Sequence, residues 1–173
     1  MTIERLAGSL LRALHRKGLP CIEIPPTQIS VLRSPSEFYA QLLAGAAAAQ
    51  RRIALASLYV GDGARERELV GALQNAPVQT DIHLLLDESR MQRGGGLALL
   101  APIARRAGAR VSLFRPPSLV SHSWRAALPP LANEVLGVQH AKACVFDDTV
   151  VLTGANLSAE YFERRQDLSL IHI

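Results

Sequence analysis

The chain has few cysteines and no long apolar run, and both absences narrow the kinds of protein that it can be. Cys21 and Cys144 are its only cysteines; they are far apart and follow no secretory signal, which favours a reducing compartment with Cys144 as a buried free thiol. The most apolar stretches, residues 42–49 and 145–152, are far shorter than the roughly 20 residues that span a bilayer. Any membrane contact is therefore expected to be peripheral.

The composition is that of one folded domain with a basic balance of charge. Hydrophobic residues make up 49% of the chain and charged residues 20%, which is too apolar for an intrinsically disordered chain. With 173 residues the chain is long enough to bury one compact core. The net charge of +4 suits an anionic partner, and nucleic acid, nucleotides and acidic lipid surfaces all qualify. Charge alone does not choose among them.

The first 28 residues are expected to be a leader and a linker rather than part of the domain. Four leucines fall on one side of a helix predicted for the first twenty residues, and basic side chains fall elsewhere. That pattern is typical of an organellar transit peptide and also of an ordinary surface helix, so both interpretations stay open. Pro25 and Pro26 mark a linker, and residues 29–173 are expected to form the domain.

Predicted strands and helices alternate through this domain. Strands are predicted at residues 29–33, 53–60, 82–86 and 110–114, with helices between them at 35–50, 65–74 and 97–106. An irregular surface loop is predicted at 116–130, then a hairpin at 141–153, a helix at 158–164 and a strand at 168–171. The run at 53–60 is apolar enough for a central strand covered on both faces. The order predicts an α/β sandwich: a mixed, mainly parallel sheet flanked by helices.

The residues suited to chemistry centre on one histidine and one lysine. His140 and Lys142 are two positions apart in a predicted strand, so their side chains share a face and could serve a phosphate, with the histidine attacking phosphorus or transferring a proton. Asn156 follows the next strand, where its amide can donate to the same oxygens. Asp147 completes the candidate catalytic set, although its odd spacing from His140 favours a role in fixing the turn. A structural histidine beside a solvated lysine is the alternative.

Two glycine-containing loops are weaker candidates. Gly61, Asp62 and Gly63 follow the central strand and precede a helix, where backbone amides could hold a nucleotide phosphate. The run lacks the lysine and hydroxyl residue that complete a phosphate loop, so an ordinary strand-to-helix turn is the alternative. Arg90, Arg93 and the glycine run after them could form a mobile basic loop near a substrate, or simply an exposed one.

The spacing His-x-Lys-x4-Asp from His140 to Asp147 resembles the HKD motif of the phospholipase D superfamily. The chain is also similar, over about residues 29–168, to the mitochondrial-type phosphatidylglycerophosphate synthases, in which comparable runs occur in the same order. These runs are residues 31–39, 56–61, 85–87, 111–114, 133–140, 153–158, 161–162 and 165–167. The domain part that carries the motif is residues 134–161.

The resemblance implies a role for each matching position. His140 would displace CMP from CDP-diacylglycerol and carry the phosphatidyl group until glycerol 3-phosphate captures it, a step of phosphatidylglycerol and cardiolipin synthesis. Lys142 and Asn156 would bind the phosphoryl oxygens, and Asp167 would hydrogen-bond the far nitrogen of His140. A strand-end surface aspartate is the alternative for Asp167. No metal or cofactor is implied, and the compartment would be the mitochondrion, with peripheral contact to its anionic inner membrane.

A single HKD motif is present, whereas the superfamily pairs two in each active site, one histidine attacking and the other protonating the leaving group. His83, His122 and His172 have no lysine two residues later. The chain is therefore expected to be the amino-terminal half of a longer enzyme, or else a protein that dimerises, and a lone copy is expected to be nearly inactive. A homodimeric phosphodiesterase or nuclease acting on nucleic acid, and a non-catalytic fragment, stay open as alternatives.

Overall fold

The computed structural model describes residues 3–19, 24–93, 96–115 and 138–172. Strands within these ranges are β1 (Ile29–Leu32), β2 (Arg52–Ala56), β3 (Asp81–Asp87), β4 (Ala109–Phe114), β5 (Ala143–Phe146), β6 (Thr149–Thr153) and β7 (Ser169–His172). The α-helices are α1 (Ile3–Arg16), α2 (Pro35–Ala48), α3 (Ala64–Gln74), α4 (Glu88–Arg93), α5 (Gly96–Leu99) and α6 (Ala101–Ala104). A 3-10 turn forms at Pro26–Gln28 and a π-helical turn at Glu160–Arg164. The loop expected at 116–130, like Cys21, lies outside the described residues.

The seven strands form one mixed sheet in the order β1-β7-β6-β5-β2-β3-β4. β2, β3 and β4 pair in parallel, with helices in each connection, and the other neighbours are antiparallel. The predicted mixed sheet is therefore confirmed, and five of these seven strands run in one direction. The expectation of a mainly parallel sheet is wrong for the pairing of neighbouring strands. β5 and β7 run opposite to the other five strands and lie between them, so the pairs that they form are antiparallel.

The core lies between the sheet and the helices, and α2, α3, α4 and α6 all contribute buried side chains to it. Buried side chains alternate along β2 and β3, as expected when helices cover one face of a sheet. Close approach of α2 to β5 depends on Gly45, where an added Cβ would lie 2.5 Å from the Phe146 ring. Cys144 is a buried free thiol, as expected, and burial raises its pKa to about 12.

Several expected boundaries differ in detail from the structure. The central strand ends at Ala56, and its alternate side chains are only half-buried, so the expected cover on both faces is not found in the described part of the chain. The helix predicted at 97–106 is divided into α5 and α6, because Pro102 cannot donate the backbone hydrogen bond that would continue one helix through it. Across the described ranges, no helix is long and apolar enough to cross a membrane.

Candidate active site at the carboxyl ends of β2, β3 and β6

The candidate residues gather at one edge of the sheet. Ala143, the first residue of β5, pairs with Ala56 of β2 on one side and with Leu152 of β6 on the other. The ends of β2 and β6 therefore lie beside the start of β5. His140 and Lys142 immediately precede β5, and Asn156 follows β6. The carboxyl ends of parallel strands are the usual ligand-binding edge of an open α/β sheet.

Lys142 is the buried cation of this edge. It precedes the first residue of β5 rather than lying within the strand, yet its backbone carbonyl still accepts from the Thr153 amide at 3.4 Å. Its side chain is 9% exposed, and its Nζ donates to the His140 carbonyl at 2.9 Å. Burial lowers the pKa of Lys142, and the charge of Asp167 opposes that shift. A partly desolvated ammonium next to an open edge is suited to bind an anion.

His140 is exposed, and the backbone before it is fixed by Asp87. Asp87 ends β3 and is 1% exposed; its Oδ2 accepts from the Gln139 amide at 3.1 Å, while its Oδ1 accepts from the Ser89 hydroxyl at 2.6 Å and from the Arg90 amide at 3.1 Å. One buried carboxylate therefore joins the end of β3, the start of α4 and the segment that carries His140.

We expect Asp87→Ala to lower the free energy of unfolding by about 3 kcal/mol, because three donors lose a buried acceptor. Any turnover should fall further than the loss of folded protein explains, since the His140 backbone is released. Urea unfolding checks the first part, with Asp81→Ala, an exposed aspartate at the start of the same strand, as the control. Equal stability of the two variants would contradict the assigned contacts.

Asn156 and Asp167 complete the group at this edge. Asn156 is 5% exposed, and its Oδ1 has no hydrogen-bond partner among the described residues. The Asp167 carboxylate lies against the Cα of Gly154, where a Cβ would be 2.6 Å from Cγ, and its Oδ1 accepts from the Leu168 amide at 2.8 Å. Asp167 thus lies close enough to influence Lys142 electrostatically, and no hydrogen bond within the described ranges joins it to the His140 ring.

Asp147 is not brought to this group. It lies at the other end of β5 with a φ of 52°, and its carboxylate accepts from the backbone amides of Gln50, Arg51 and Arg52, each at 2.9 Å. These hydrogen bonds lower the pKa of Asp147, with the Gln50 amide contributing most. The residue included in the catalytic set therefore fixes the turn to the start of β2, which is the role that its odd spacing from His140 favoured.

A lowered carboxyl pKa predicts how Asp147 affects stability with pH. Folding favours the charged form of Asp147. Its contribution to the stability of the fold is therefore complete above the ordinary pKa of 3.8 and is lost as pH falls through the lower pKa of the folded protein. The Tm of Asp147→Asn should lie below that of the wild type at pH 6, and the gap should close below pH 3.8. Asp148→Asn, whose side chain is 80% exposed, is the matched control, and a gap that stays constant with pH would refute the assignment.

The glycine-containing turn at residues 61–63 is filled by a carboxylate of the protein itself. The carboxylate of Glu66 lies against both Gly61 and Gly63, and a Cβ on Gly63 would be 2.6 Å from its Oε2. The carbonyl of Asp62 accepts from the Arg67 guanidinium at 2.6 Å. This run is therefore a strand-to-helix turn closed by a carboxylate, an unfavourable place for a nucleotide phosphate.

The described part of the expected basic loop is helical, and residues 94 and 95 lie outside the described residues. Arg90 and Arg93 lie in α4, and Gly96 begins α5, where it packs so closely on the Val60 carbonyl that a Cβ would collide with it. Among the described residues, no cluster of three or more histidine, cysteine or acidic side chains could hold a metal ion.

No family model matches the chain, but curated relatives do. The mitochondrial CDP-diacylglycerol–glycerol-3-phosphate 3-phosphatidyltransferase of Homo sapiens is 38% identical over 165 residues, covering 88% of this chain and 30% of the relative. The enzyme of that name from Saccharomyces cerevisiae is 34% identical over 171 residues, covering 92% of this chain and 32% of its own length. This chain is a homologue of these phosphatidyltransferases. The resemblance inferred from the motifs is confirmed, and the chain spans about a third of the relatives' length.

Solved structures share the fold of this chain. Phosphatidylserine synthase of Haemophilus influenzae has a TM-score of 0.64 at 22% identity, covering 93% of this chain and 37% of its own. The phospholipase D family member Nuc of Salmonella typhimurium has a TM-score of 0.57 at 17% identity, covering 83% of this chain and 82% of its own. The α/β fold of the phospholipase D family is therefore confirmed.

Sequence reasoning about this phosphatidyltransferase homologue missed two buried carboxylates. Asp87 and Glu66 contact the segments that carry His140 and Asn156, respectively. The available signal was an acidic residue directly after a buried strand in the case of Asp87, and an acidic residue in the first turn of a helix in the case of Glu66. Neither spacing indicates which distant backbone amide the carboxylate will meet.

Proposed function

We propose that this chain supplies the attacking half of a phosphatidyltransferase active site that uses CDP-diacylglycerol and glycerol 3-phosphate. The observation that carries the proposal is the buried Lys142 beside the exposed His140, at the sheet edge that also holds Asn156. A desolvated ammonium and an amide donor stabilise charge on phosphoryl oxygens, and an exposed imidazole is free to approach phosphorus. The names of the sequence relatives supply the substrates.

The proposed reaction has two displacements. An imidazole nitrogen of His140 attacks the phosphorus of the phosphatidyl group, so that a phosphorus–nitrogen bond forms and the bond to the CMP oxygen breaks. A hydroxyl of glycerol 3-phosphate then attacks the same phosphorus, gives up its proton and restores the free imidazole. Lys142 and Asn156 bind the phosphoryl oxygens in both steps, and the negative charge of Asp167 favours the protonated form of Lys142.

The proton balance requires a second group. CMP leaves as an oxyanion that needs a proton, and the attacking hydroxyl needs a base, which a second histidine would supply in turn. We place that histidine on a further part of a longer chain or on a second copy of this one. An isolated copy is accordingly proposed to be nearly inactive.

A cavity of about 400 Å³ beside Asp167 is the proposed entry for the acceptor. Its lining residues are Val31, Leu32, Arg33, Gln166, Asp167 and Leu168. Its volume suits a small phosphate ester rather than a lipid chain. The lipid substrate would then reach the site from a membrane surface, and we place the protein peripherally on the mitochondrial inner membrane, in line with the mitochondrial naming of the animal relatives.

The chain should be mixed with CDP-diacylglycerol and labelled glycerol 3-phosphate, in parallel with a digest of single-stranded DNA. Labelled lipid product or lipid-dependent CMP release supports the proposal. Cleavage of DNA without any lipid chemistry would instead favour a homodimeric nuclease. Neither reaction, together with no phosphatidyl adduct on His140, would favour a non-catalytic fragment. Raising the protein concentration separates a dimer-dependent activity from one that needs a longer chain.

A further inference from the structure

Glu66 is a buried carboxylate that the proposed reaction does not use. It is 2% exposed and occupies the third position of α3. Its Oε1 accepts from the backbone amide of Ala159 at 2.6 Å, across 93 residues of chain. Both Gly61 and Gly63 pass so close to the carboxylate that any side chain there would collide with it. The β2–α3 turn is thus built around this one acidic group.

The same turn is joined to the segment after β6 by further backbone contacts. The Gly61 amide donates to the Leu157 carbonyl at 2.9 Å, and the Leu157 amide donates to the Ser57 hydroxyl at 3.4 Å. Val60 and Leu157 form an isolated parallel bridge. Asn156 immediately precedes this anchored residue, so its backbone is fixed by contacts that do not involve its own side chain.

We infer that Glu66 is a positioning residue for Asn156, holding its amide at the phosphate-binding edge. This inference rests on the proposed function, because the contact between Glu66 and Ala159 serves a purpose here only if Asn156 binds an anion. Ala159 lies three residues beyond Asn156, and the Glu66 contact prevents this short segment from moving away from β2. The Asn156 side chain then stays buried at this edge, where its Nδ2 group can donate to a phosphate oxygen.

Inorganic phosphate is the probe, and its binding is measured from the backbone amide NMR shifts of residue 156 and its neighbours. The proteins compared are the wild type, Glu66→Ala, Glu66→Gln, Asn156→Ala and the double variant Glu66→Ala with Asn156→Ala. We expect Glu66→Ala to weaken phosphate binding by about tenfold, the loss that one hydrogen bond typically causes. Glu66→Gln should bind within about threefold of the wild type, because its amide oxygen still accepts from Ala159. The double variant should bind no more weakly than Asn156→Ala alone.

Leu73→Ala is the matched control, because Leu73 is 1% exposed and lies in the same helix near its carboxyl end, whereas Glu66 lies in the first turn. Truncating Leu73 should destabilise the core. It should lower Tm and leave phosphate binding of the folded protein unchanged. Unchanged binding in Glu66→Ala, or additive losses in the double variant, would overturn the positioning role alone. Absence of phosphate binding by the wild type would overturn both this inference and the proposed anion site.

Discussion

In the assembly that supplies the second histidine, replacing His140 by alanine is expected to reduce CMP release from CDP-diacylglycerol by on the order of 10³-fold or more. The imidazole would form the bond to phosphorus, and alanine offers no atom that can do so. Stability should hardly change, because the side chain is exposed and no described ion pair or side-chain hydrogen bond depends on it. Initial rates and a thermal melt on the same preparation measure both effects.

His83→Ala is the matched control for this variant. His83 is also an exposed histidine, but it lies on β3 beside Arg110 rather than at the sheet edge with Lys142. It should keep wild-type rates. Turnover that survives in His140→Ala, or an equal loss in His83→Ala, would remove His140 from the nucleophile role.

Lys142→Met is expected to reduce turnover on the order of 100-fold or more while leaving the protein as stable as the wild type, or more stable, at pH 7. The ammonium would stabilise the phosphoryl oxygens, whereas its burial is unfavourable for folding. Methionine fills similar space without a charge to desolvate. A loss of activity with no loss of stability separates a binding role from a structural one.

The direction of the Lys142 pKa shift predicts how this stability difference depends on pH. Burial lowers the pKa of Lys142 in the folded protein below the ordinary 10.5. The buried charge therefore destabilises the fold most at pH values where Lys142 is protonated in both the folded and the unfolded protein, and this destabilisation declines as pH rises towards 10.5. Any gain in Tm for Lys142→Met should therefore be largest near neutral pH. Lys17→Met changes the chain's other lysine, which is exposed, and should show no such pattern. A Tm of Lys142→Met well below the wild type at pH 7 would refute the assignment.

Local signals in the sequence were sufficient to predict most of the fold. Alternating apolar runs and the capping box before α2 predicted the elements in the right order, since each depends on residues close together in the chain. The pairing of β5 with β2 could not be read this way, because it joins residues about 90 positions apart. The sheet was accordingly predicted as mixed, but its antiparallel pairs were underestimated.

The site was predictable in its residue types and less so in its contacts. The spacing of His140, Lys142 and Asn156 predicted one site, and in the structure all three positions lie at one edge of the sheet. The resemblance to the HKD motif also placed Asp147 in the catalytic set, although a strand of four residues carries it to the opposite end. The carboxylate that fixes the His140 segment is Asp87, and only the folding of β3 beside β2 reveals it.

The central claim is that His140 forms a covalent bond to the phosphatidyl group, and the most direct test is mass spectrometry of the chain after brief incubation with CDP-diacylglycerol. The proposed chemistry predicts one phosphatidyl adduct on His140, stable to base, cleaved by acid and removed by glycerol 3-phosphate or CMP. An adduct on another residue, or release of CMP with no histidine adduct at any time, would contradict it.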